Sequence, residues 1–436
     1  MKYIYLDNYR GFSNEVIPLK AVNFLVGENS TGKTSFLSVL KVLGSPRFWF
    51  RPSFDDPDLH FSSFSEIISK KSNNKKYFTI GFYDSKSESK TQSHTEERHP
   101  SFRLITFKNE EGIPVVYKYS FLSPIGLIST IISDSSLRYK IQECIHTSVG
   151  ELLEKCMKEH AITKPADYKK FSKEGFPRQL FFVNAYHFIV ADMAGNDLLK
   201  NKRKVTFEIE VDAPECRWIA PIRAKPEKIY TSQASDYSAE GNHIPIILNK
   251  MLGKHNDSKD SKLLNAINEF GKSSGLFDAV SIKRFGKEAS APFQVNVNLN
   301  GSELLVSNVG YGVSQVLPII LEARRRTNEE YIAIQQPEVH LHPKAQAFLG
   351  EFLYKSKELT SNNFVIETHS DYLIDRFRLC TNKNKCLDAQ VLFFVRTEVG
   401  NKVYSIDIKP DGSYPDNQPS EFREFFLNEE FELMRL

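Results

Sequence analysis

The sequence predicts an α/β fold in which a mixed sheet is flanked by helices and interrupted by a large α+β insertion. Three observations lead to this prediction. A buried strand, a glycine-rich loop and a helix follow one another near residue 27. Two further apolar strands, near residues 331 and 363, each end in polar residues. Between these regions lie short alternating strands and helical patterns. The 436 residues are enough for two or three domains.

The glycine-rich loop begins at Gly27 and fits the phosphate-binding pattern G-x-x-x-x-G-K-[ST]. Apolar residues 21–26 precede it, and apolar residues at helical spacing follow it in 35–43. Glycines let backbone N–H groups turn toward phosphate oxygens, Lys33 adds a positive charge, and Thr34 offers a hydroxyl to Mg²⁺. A chance match in a turn is the alternative. We therefore expect a nucleoside triphosphate with Mg²⁺, held by Gly27, Asn29, Ser30, Thr31, Gly32, Lys33, Thr34 and Ser35.

Composition is that of an ordinary soluble globular protein, with 41% hydrophobic and 25% charged residues. A net charge of +3 neither requires nor excludes a nucleic-acid partner. The five cysteines contain no C-x-x-C pair, which favours reduced thiols in a cytoplasm. The first residues read as a strand and no uncharged apolar run approaches about 20 residues, so we expect neither a signal peptide nor a membrane segment.

The organisation of the chain predicts three regions, which are 1–57, 58–214 and 215–436. The middle region is the insertion. For it we expect a strand over 76–83, a hairpin of 102–107 with 115–121, one amphipathic helix from Leu137 to Cys156, a second helix over 178–199 and a strand over 206–211. In the third region we expect a strand followed by a turn over 217–223, helices over 244–252 and 261–270, and an alternating strand over 294–301 that ends in a turn.

Three polar segments follow apolar elements in the third region. A glycine-serine loop containing Gly310, Gly312 and Ser314 opens an apolar helix, and such a helix N-terminus favours anions. The strand at 331–334 runs into Gln335-Gln336-Pro337-Glu338 and then His340-Leu341-His342-Pro343. The strand at 363–366 runs into Glu367-Thr368-His369-Ser370. Ligands of open α/β sheets bind at the C-terminal ends of strands, so these residues are candidates for one site.

Together these motifs resemble the ABC-type ATPase heads of the SMC, RecF and OLD (overcoming lysogenization defect) group. The segments N-V-G-Y-G-V-S-Q, Q-P-E-V-H-L-H-P and E-T-H-S are especially similar to the OLD-like branch of bacterial antiphage defence, including the ATPase subunits of Septu systems. The resemblance implies an ABC-ATPase head with ATP and Mg²⁺. It also implies at least a homodimer, in which Gly310, Gly312 and Ser314 touch the γ-phosphate bound to the other protomer.

The resemblance further assigns catalytic roles, with one departure from the family. His369 would contact the γ-phosphate or the attacking water, and Gln335, Gln336 and Glu338 would complete the catalytic set. In ABC heads the strand ends in two acids, one that positions Mg²⁺ and one that polarises water. Here both are amides, either natural or engineered, with Glu338 and Glu367 as candidate substitutes. An amide binds Mg²⁺ less well and accepts no proton, so we expect Thr34 and Gln335 at the metal and slow or absent hydrolysis.

Several alternatives remain open from the sequence. His340 and His342 could ligate zinc, although no third ligand is evident, and His369 could be a buried histidine bonded to backbone. The basic runs at 200–204 and 324–326 could be solvated faces or DNA contacts. The aromatic residues after 424 could bind a partner or cap the core. A RecF-like DNA-repair clamp competes with a defence role, and a small-molecule enzyme is disfavoured.

The resemblance also bears on partners. Only 67 residues follow His369, too few for the nuclease domain that OLD proteins carry there. We therefore expect no nuclease in this chain and a separate HNH-type nuclease subunit as its partner, with DNA as a further possible ligand.

Overall fold

The computed structural model describes most of the chain. The described residues are 2–54, 63–85, 100–123, 126–133, 136–143, 149–161, 164–171, 189, 192, 215–231, 236–252, 258–288, 290–325, 331–384, 387–422 and 424. The predicted helix over 178–199 lies outside them apart from 189 and 192. Also outside are the predicted strand over 206–211, the basic run at 200–204 and the aromatic C-terminal residues. Among the described helices, none has the length and apolar character to cross a membrane.

Seventeen strands and nine α-helices are formed within the described residues. The strands are β1 Lys2–Asp7, β2 Glu15–Leu19, β3 Val22–Gly27, β4 Tyr77–Asp84, β5 Ser101–Glu110, β6 Ile113–Ser123, β7 Gly126–Ser133, β8 Ser136–Gln142, β9 Lys169–Lys170, β10 Cys216–Ile219, β11 Ala279–Arg284, β12 Phe293–Leu299, β13 Ser302–Leu305, β14 Tyr331–Gln335, β15 Asn363–Glu367, β16 Ala389–Arg396 and β17 Asn401–Asp407. The helices are α1 Lys33–Gly44, α2 Pro46–Phe50, α3 Phe64–Ile67, α4 Val149–Ala161, α5 Ile244–Met251, α6 Ser258–Ser274, α7 Tyr311–Arg324, α8 Pro343–Leu359 and α9 Asp371–Lys383.

The chain forms two compact units. The first comprises Met1–Leu19, Thr34–Glu215 and Val395–Val403, and the second comprises Lys20–Lys33, Cys216–Phe394 and Tyr404–Leu436.

The first unit contains an eight-stranded sheet in the order β2-β1-β4-β5-β6-β7-β8-β9. Its paired neighbours run antiparallel throughout. The helix α4 contributes Leu152 and Cys156 to a buried cluster with side chains of β4, β5 and β7. The predicted strand over 76–83 and the predicted hairpin are both confirmed, as β4 and as β5 with β6.

The predicted single helix from Leu137 to Cys156 is wrong. Residues 136–142 form β8, which pairs antiparallel with β7, and helix α4 begins only at Val149. The apolar residues Leu137 and Ile141 lie four apart, which suits a helix turn but is also an even spacing on one strand face. Leu137 and Tyr139 are buried while Arg138 between them is not, as expected for a strand. Pairing with β7 therefore decided an ambiguous pattern.

The second unit contains a six-stranded sheet in the order β10-β14-β15-β3-β16-β17. From β10 to β16 the neighbouring strands are parallel. Strand β3 is buried along its whole length, as its mostly apolar sequence predicts for a parallel sheet covered on both faces. Phe24 of β3 packs edge-on against Phe377 of α9 at 5.1 Å between ring centroids. A sheet flanked by helices confirms the predicted α/β class.

Three other predictions for the second unit are also confirmed. Helices α5 and α6 cover the predicted segments 244–252 and 261–270, apart from the C-cap Leu252. Strand β12 covers 294–299 and lies in the middle of a separate three-stranded antiparallel sheet, β11-β12-β13. Because β14, β15 and β3 are parallel neighbours, their C-terminal ends share one edge, with Gln335 opposite Glu367 and Glu367 opposite Leu25. This edge carries the candidate site.

Candidate nucleotide-binding site

The phosphate loop has a backbone that only glycine accepts at its first position. Gly27 has φ +141°, and a Cβ built there would lie 2.2 Å from the carbonyl oxygen of Phe394 on the neighbouring strand β16. Gly32 has φ +104°, and Ser30 also lies in the left-handed region, at φ +62°. The loop between β3 and α1 is thus a tight turn in which backbone N–H groups can face an anion.

Lys33 is buried at the start of α1, with 4% of its surface exposed. Its Nζ donates hydrogen bonds of 2.7 Å to the carbonyl oxygens of Gly27 and Glu28. Burial lowers the pKa of the Lys33 ammonium, and the negative charges of Glu367 and Glu28 partly oppose that shift. A buried ammonium bonded to neutral carbonyls gains most from an anionic ligand, which supports the predicted role of Lys33.

The remaining predicted loop residues have smaller roles in this conformation. Thr31 is buried and its hydroxyl donates to the Glu28 carbonyl oxygen at 2.8 Å, which closes the loop. Asn29 and Ser30 are exposed, as is Thr34. The Ser35 hydroxyl accepts a hydrogen bond of 3.0 Å from Nε of Arg10 within the first unit.

At the ends of β14 and β15 an amide and a carboxylate form a buried pair. Nε2 of Gln335 donates to Oε2 of Glu367 at 2.8 Å, and the backbone N–H of Gln336 donates to the Glu367 carbonyl oxygen at 2.7 Å. Gln336 has φ +42°, so the chain turns sharply directly after the strand. A second carboxylate at position 335 would face Glu367 and repel it without a cation, whereas an amide pairs with it directly.

Glu338 and His369 lie side by side. One Glu338 carboxylate oxygen accepts a hydrogen bond of 2.8 Å from the Thr368 hydroxyl. The other accepts a hydrogen bond of 2.7 Å from the backbone N–H of His369. Burial raises the pKa of the Glu338 carboxyl, against the effect of these hydrogen bonds. The His369 side chain is exposed, so the alternative of a buried, backbone-bonded histidine is wrong.

The His369 imidazole is neutral at pH 7. Partial desolvation and the Lys33 charge lower its pKa, and Glu367 partly compensates. His369 therefore lies within reach of the Lys33 charge in the second unit. A neutral imidazole can accept a proton or a hydrogen bond from a group next to it.

The glycine-serine loop opens α7 as predicted. Gly310 is the N-cap residue, and a Cβ on Gly312 would lie 2.8 Å from the His340 carbonyl oxygen, so glycine permits that close approach. The Ser314 hydroxyl donates to the Tyr311 carbonyl oxygen at 2.9 Å. The exposed Tyr311 ring lies 5.7 Å from the His340 ring. The loop that follows β14 therefore packs against the start of α7.

The zinc alternative gains no support from the geometry. Nδ1 of His342 accepts a hydrogen bond of 3.3 Å from the backbone N–H of Ala345, and His342 thereby caps the N-terminus of α8. The described part of the chain contains no group of three His, Cys, Asp or Glu side chains arranged to hold a metal.

One residue at this edge was missed from the sequence. Arg223 is buried, and its Nη2 donates to the carbonyl oxygens of Gln335 at 2.8 Å and Gln336 at 3.5 Å. Its signal was present in the segment Ala220-Pro221-Ile222-Arg223, where an arginine follows a strand-ending proline. A charged residue a few positions after the end of a parallel strand is a candidate for the ligand-binding edge.

Three solved SMC heads overlap with the chain. The SmcHead bound to the C-winged helix domain of ScpA has TM-score 0.46 and 11% identity, over 93% of this chain and 98% of that one. The SMC head domain from Thermotoga maritima has TM-score 0.36 and 10% identity, over 92% and 97%. The Smc head from Pyrococcus furiosus, with an extended coiled coil and bound to the C-terminal domain of ScpA, has TM-score 0.43 and 12% identity, over 99% and 100%. Overlaps this weak carry no argument about function.

No curated protein matches the chain. The model of one protein family matches the chain. The matched residues include the phosphate loop, the glycine-serine loop and the polar ends of β14 and β15. This family is described as the AAA ATPase domain, and the match covers residues 1–374. A match of this extent agrees with the buried Lys33 and the phosphate loop around it. The chain therefore belongs to the AAA ATPase domain family.

Proposed function

We propose that the chain binds Mg-ATP at the phosphate loop and uses it as a switch for self-association, with slow hydrolysis. The observation that carries this proposal is the buried Lys33, whose Nζ contacts the Gly27 and Glu28 carbonyl oxygens while the Glu367 charge acts on it. A bound triphosphate would offer the Lys33 ammonium charged phosphate oxygens in place of the neutral carbonyl oxygens that it contacts now. ATP binding is accordingly the step that the site favours most.

The residues present fit a magnesium ion. Mg²⁺ takes oxygen ligands, and the Gln335 amide and Glu367 carboxylate form an oxygen-rich pair at the strand ends. Thr34, which directly follows Lys33 in the chain, offers a hydroxyl. When bound, Mg²⁺ neutralises phosphate charge. In this proposal Glu367 supplies the carboxylate that Gln335 lacks.

The slow hydrolysis follows from the amides. An amide at Gln336 can orient water but cannot remove its proton. Glu338 is the nearest candidate base, because its oxygens already contact Thr368 and His369. The raised pKa of its carboxyl keeps it a usable proton acceptor, but both oxygens have protein donors. Hydrolysis is then the rare event that ends the bound state.

Self-association is proposed from the start of α7. If the chain dimerises as ABC-type heads do, Gly310, Gly312 and Ser314 of one copy contact the nucleotide bound to the second copy. Gly310 and Tyr311 are exposed at this helix start, which leaves room for an approaching surface. ATP then stabilises the dimer by binding at two surfaces at once.

The finer assignment is to bacterial antiphage defence. The similarity of the motifs to PtuA, the Septu ATPase subunit, supports an HNH-type nuclease subunit as the partner, controlled by nucleotide-dependent assembly. A RecF- or SMC-like clamp on DNA is the second candidate, favoured by the same head motifs. The two differ in whether a nuclease subunit copurifies.

The first experiment measures self-association by sedimentation velocity with and without Mg-ATP, using the wild type and Lys33→Ala. We expect the wild type to become at least a dimer with ATP and Lys33→Ala to stay unchanged. A wild type that sediments identically in both conditions contradicts the switch.

The second experiment coexpresses the chain with a neighbouring HNH-type gene, followed by copurification and a phage challenge. Copurification with nucleotide-dependent protection supports the defence role. Nucleotide-dependent DNA retention by the chain alone supports the clamp instead.

A further inference from the structure

Arg223 has an unusual environment for a charged side chain. Only 3% of its surface is exposed, and Nη2 contacts the Gln335 and Gln336 carbonyl oxygens. Within the described chain, its Nε and Nη1 have no hydrogen-bond partner. Burial lowers the pKa of the guanidinium to about 10, and the Glu338 charge opposes that shift. A buried cation with two unsatisfied nitrogens is costly, so a purely structural role explains it poorly.

The backbone of Arg223 is held by the helix that carries the glycine-serine loop. The N–H of Arg223 donates to Oε1 of Gln315 at 3.1 Å, and Nε2 of Gln315 donates back to the Arg223 carbonyl oxygen at 3.4 Å. Gln315 is buried on α7 and directly follows Ser314. A shift of the start of α7 must therefore move Arg223 or break both hydrogen bonds.

The contacts continue from Arg223 toward the phosphate loop. Arg223 holds the carbonyl oxygen of Gln335, whose side chain donates to Glu367 at 2.8 Å. The Glu367 charge in turn opposes part of the lowering of the Lys33 pKa that burial causes. All of these residues lie in the second unit. Hydrogen bonds thus join the helix of Ser314 to Glu367, whose charge acts on Lys33 of the phosphate loop.

We propose that Arg223 is a positioning residue that couples the start of α7 to the end of β14. The inference rests on the proposed function, in which a second copy engages Ser314. Engagement shifts α7, Gln315 moves the Arg223 loop, and the guanidinium repositions the Gln335-Gln336 turn. The Glu338 charge acts on the guanidinium, and the unsatisfied Nε and Nη1 are donors that a second partner can accept from. Binding of a second copy at the start of α7 then changes the position of the Gln335-Gln336 turn at the nucleotide site.

A structural arginine nearby provides a matched control. Arg217 on β10 also reaches α7, where its Nη1 lies 3.1 Å from Oε2 of Glu322. Glu322 is shared with His243 and Arg325, so this cluster stabilises the helix without touching the Gln335-Gln336 turn. Removing Arg217 should weaken packing but not coupling.

The experiment measures ATP-driven self-association and the affinity for a fluorescent ATP analogue in Arg223→Met, Arg223→Lys, Gln315→Ala, the Arg223→Met/Gln315→Ala double variant and Arg217→Met. We expect Arg223→Met and Gln315→Ala each to weaken self-association about tenfold, with melting temperature lowered no more than by Arg217→Met. Arg223→Lys should recover part of the loss, because lysine keeps the charge and one donor. The double variant should match the single variants, because each substitution breaks the same connection between α7 and the Gln335-Gln336 turn.

Three results would overturn the coupling role. They are additive losses in the double variant, no recovery by Arg223→Lys, and an equal loss of association in Arg217→Met. Lys33→Ala separates this inference from the proposed function. If Lys33→Ala abolishes ATP-driven association while the Arg223 and Gln315 variants behave as wild type, only the coupling fails. If ATP drives no association in the wild type, the proposed function fails first.

Discussion

Two lysines are buried among the residues that the structure describes, one in each unit, and their surroundings differ. Lys118 in β6 is 1% exposed, donates to the His160 carbonyl oxygen and lies 5.5 Å above the Tyr168 ring. The His160 ring is bonded on both nitrogens, to Thr106 at 2.8 Å and to Ser120 at 2.7 Å. Lys118 therefore belongs to a closed polar network between a helix and a sheet.

Lys33 differs because its acceptors belong to a loop built around it. The Gly27 and Glu28 carbonyl oxygens are its contacts, and the loop backbone is kept open by positive φ at Gly27, Ser30 and Gly32. Both lysines have a lowered pKa because of burial, so the pKa alone does not separate them. The comparison teaches that a ligand lysine is recognised by the backbone and carboxylates around it, not by burial.

The strongest test of this comparison replaces each lysine. Lys33→Ala should weaken Mg-ATP binding roughly 1000-fold, because two charged hydrogen bonds to phosphate are worth about 4 kcal/mol together. Lys118→Met should leave binding within about twofold. Titration with a fluorescent ATP analogue measures both, and equal losses in the two variants would contradict the distinction.

Restoring an acid beside the phosphate loop should produce the next largest change. Gln336→Glu should raise steady-state phosphate release about 100-fold, since a positioned carboxylate can accept the proton of the attacking water. Gln294→Glu on β12 is the control and should have no effect. Wild-type hydrolysis above a few turnovers per minute would show that the amides do not limit the reaction.

Lys118 should leave a signature in stability against pH. Its pKa is about 8 in the folded protein and about 10.4 when unfolded. Between these values the unfolded chain binds more protons, so the free energy of unfolding rises with pH. We expect a gain of about 2 kcal/mol between pH ~7.5 and ~9.5, absent in Lys118→Met. Denaturant titrations at both pH values measure it, and parallel behaviour of the two proteins would contradict burial as the cause.

The smallest expected effect concerns His369. In the Gln336→Glu background, His369→Ala should slow phosphate release about tenfold, less than the roughly 100-fold of a fully positioned proton-transfer group, because the His369 side chain is exposed. His340→Ala, on the adjacent exposed loop, should change it less than twofold. Because the lowered His369 pKa keeps the imidazole neutral, the rate should stay flat from pH 7 upward. An equal effect of both substitutions would assign His369 a general surface role.

Much of the site could be predicted because its residues follow strands in the sequence. The phosphate loop, the Gln335-Gln336 turn and the Thr368-His369 segment each come directly after an apolar run, and parallel pairing brings these ends together. The helix prediction over Leu137 to Cys156 failed for the opposite reason. Its apolar spacing suits both a helix and a strand, and only the partner strand β7 distinguishes them.

Arg223 could not be assigned from its own sequence. Its role depends on Gln315, which lies 92 positions away, and on Gln335, 112 positions away. Such contacts appear only once β10 pairs with β14 and α7 packs beside them. The pairing of Gln335 with Glu367 is likewise a property of neighbouring strands and not of either segment.

The sequence by itself determined the ligand class, because glycines, lysine and threonine at fixed spacing form a phosphate loop whatever surrounds them. It also determined the lack of acids at Gln335 and Gln336. Tertiary structure alone decided that Glu367 faces Gln335, that Glu338 is held by Thr368 and His369, and that Arg223 joins α7 to β14. The physical reason is distance along the sequence. The phosphate loop is formed by neighbouring residues, whereas burial and charge pairing depend on residues that are distant along the chain.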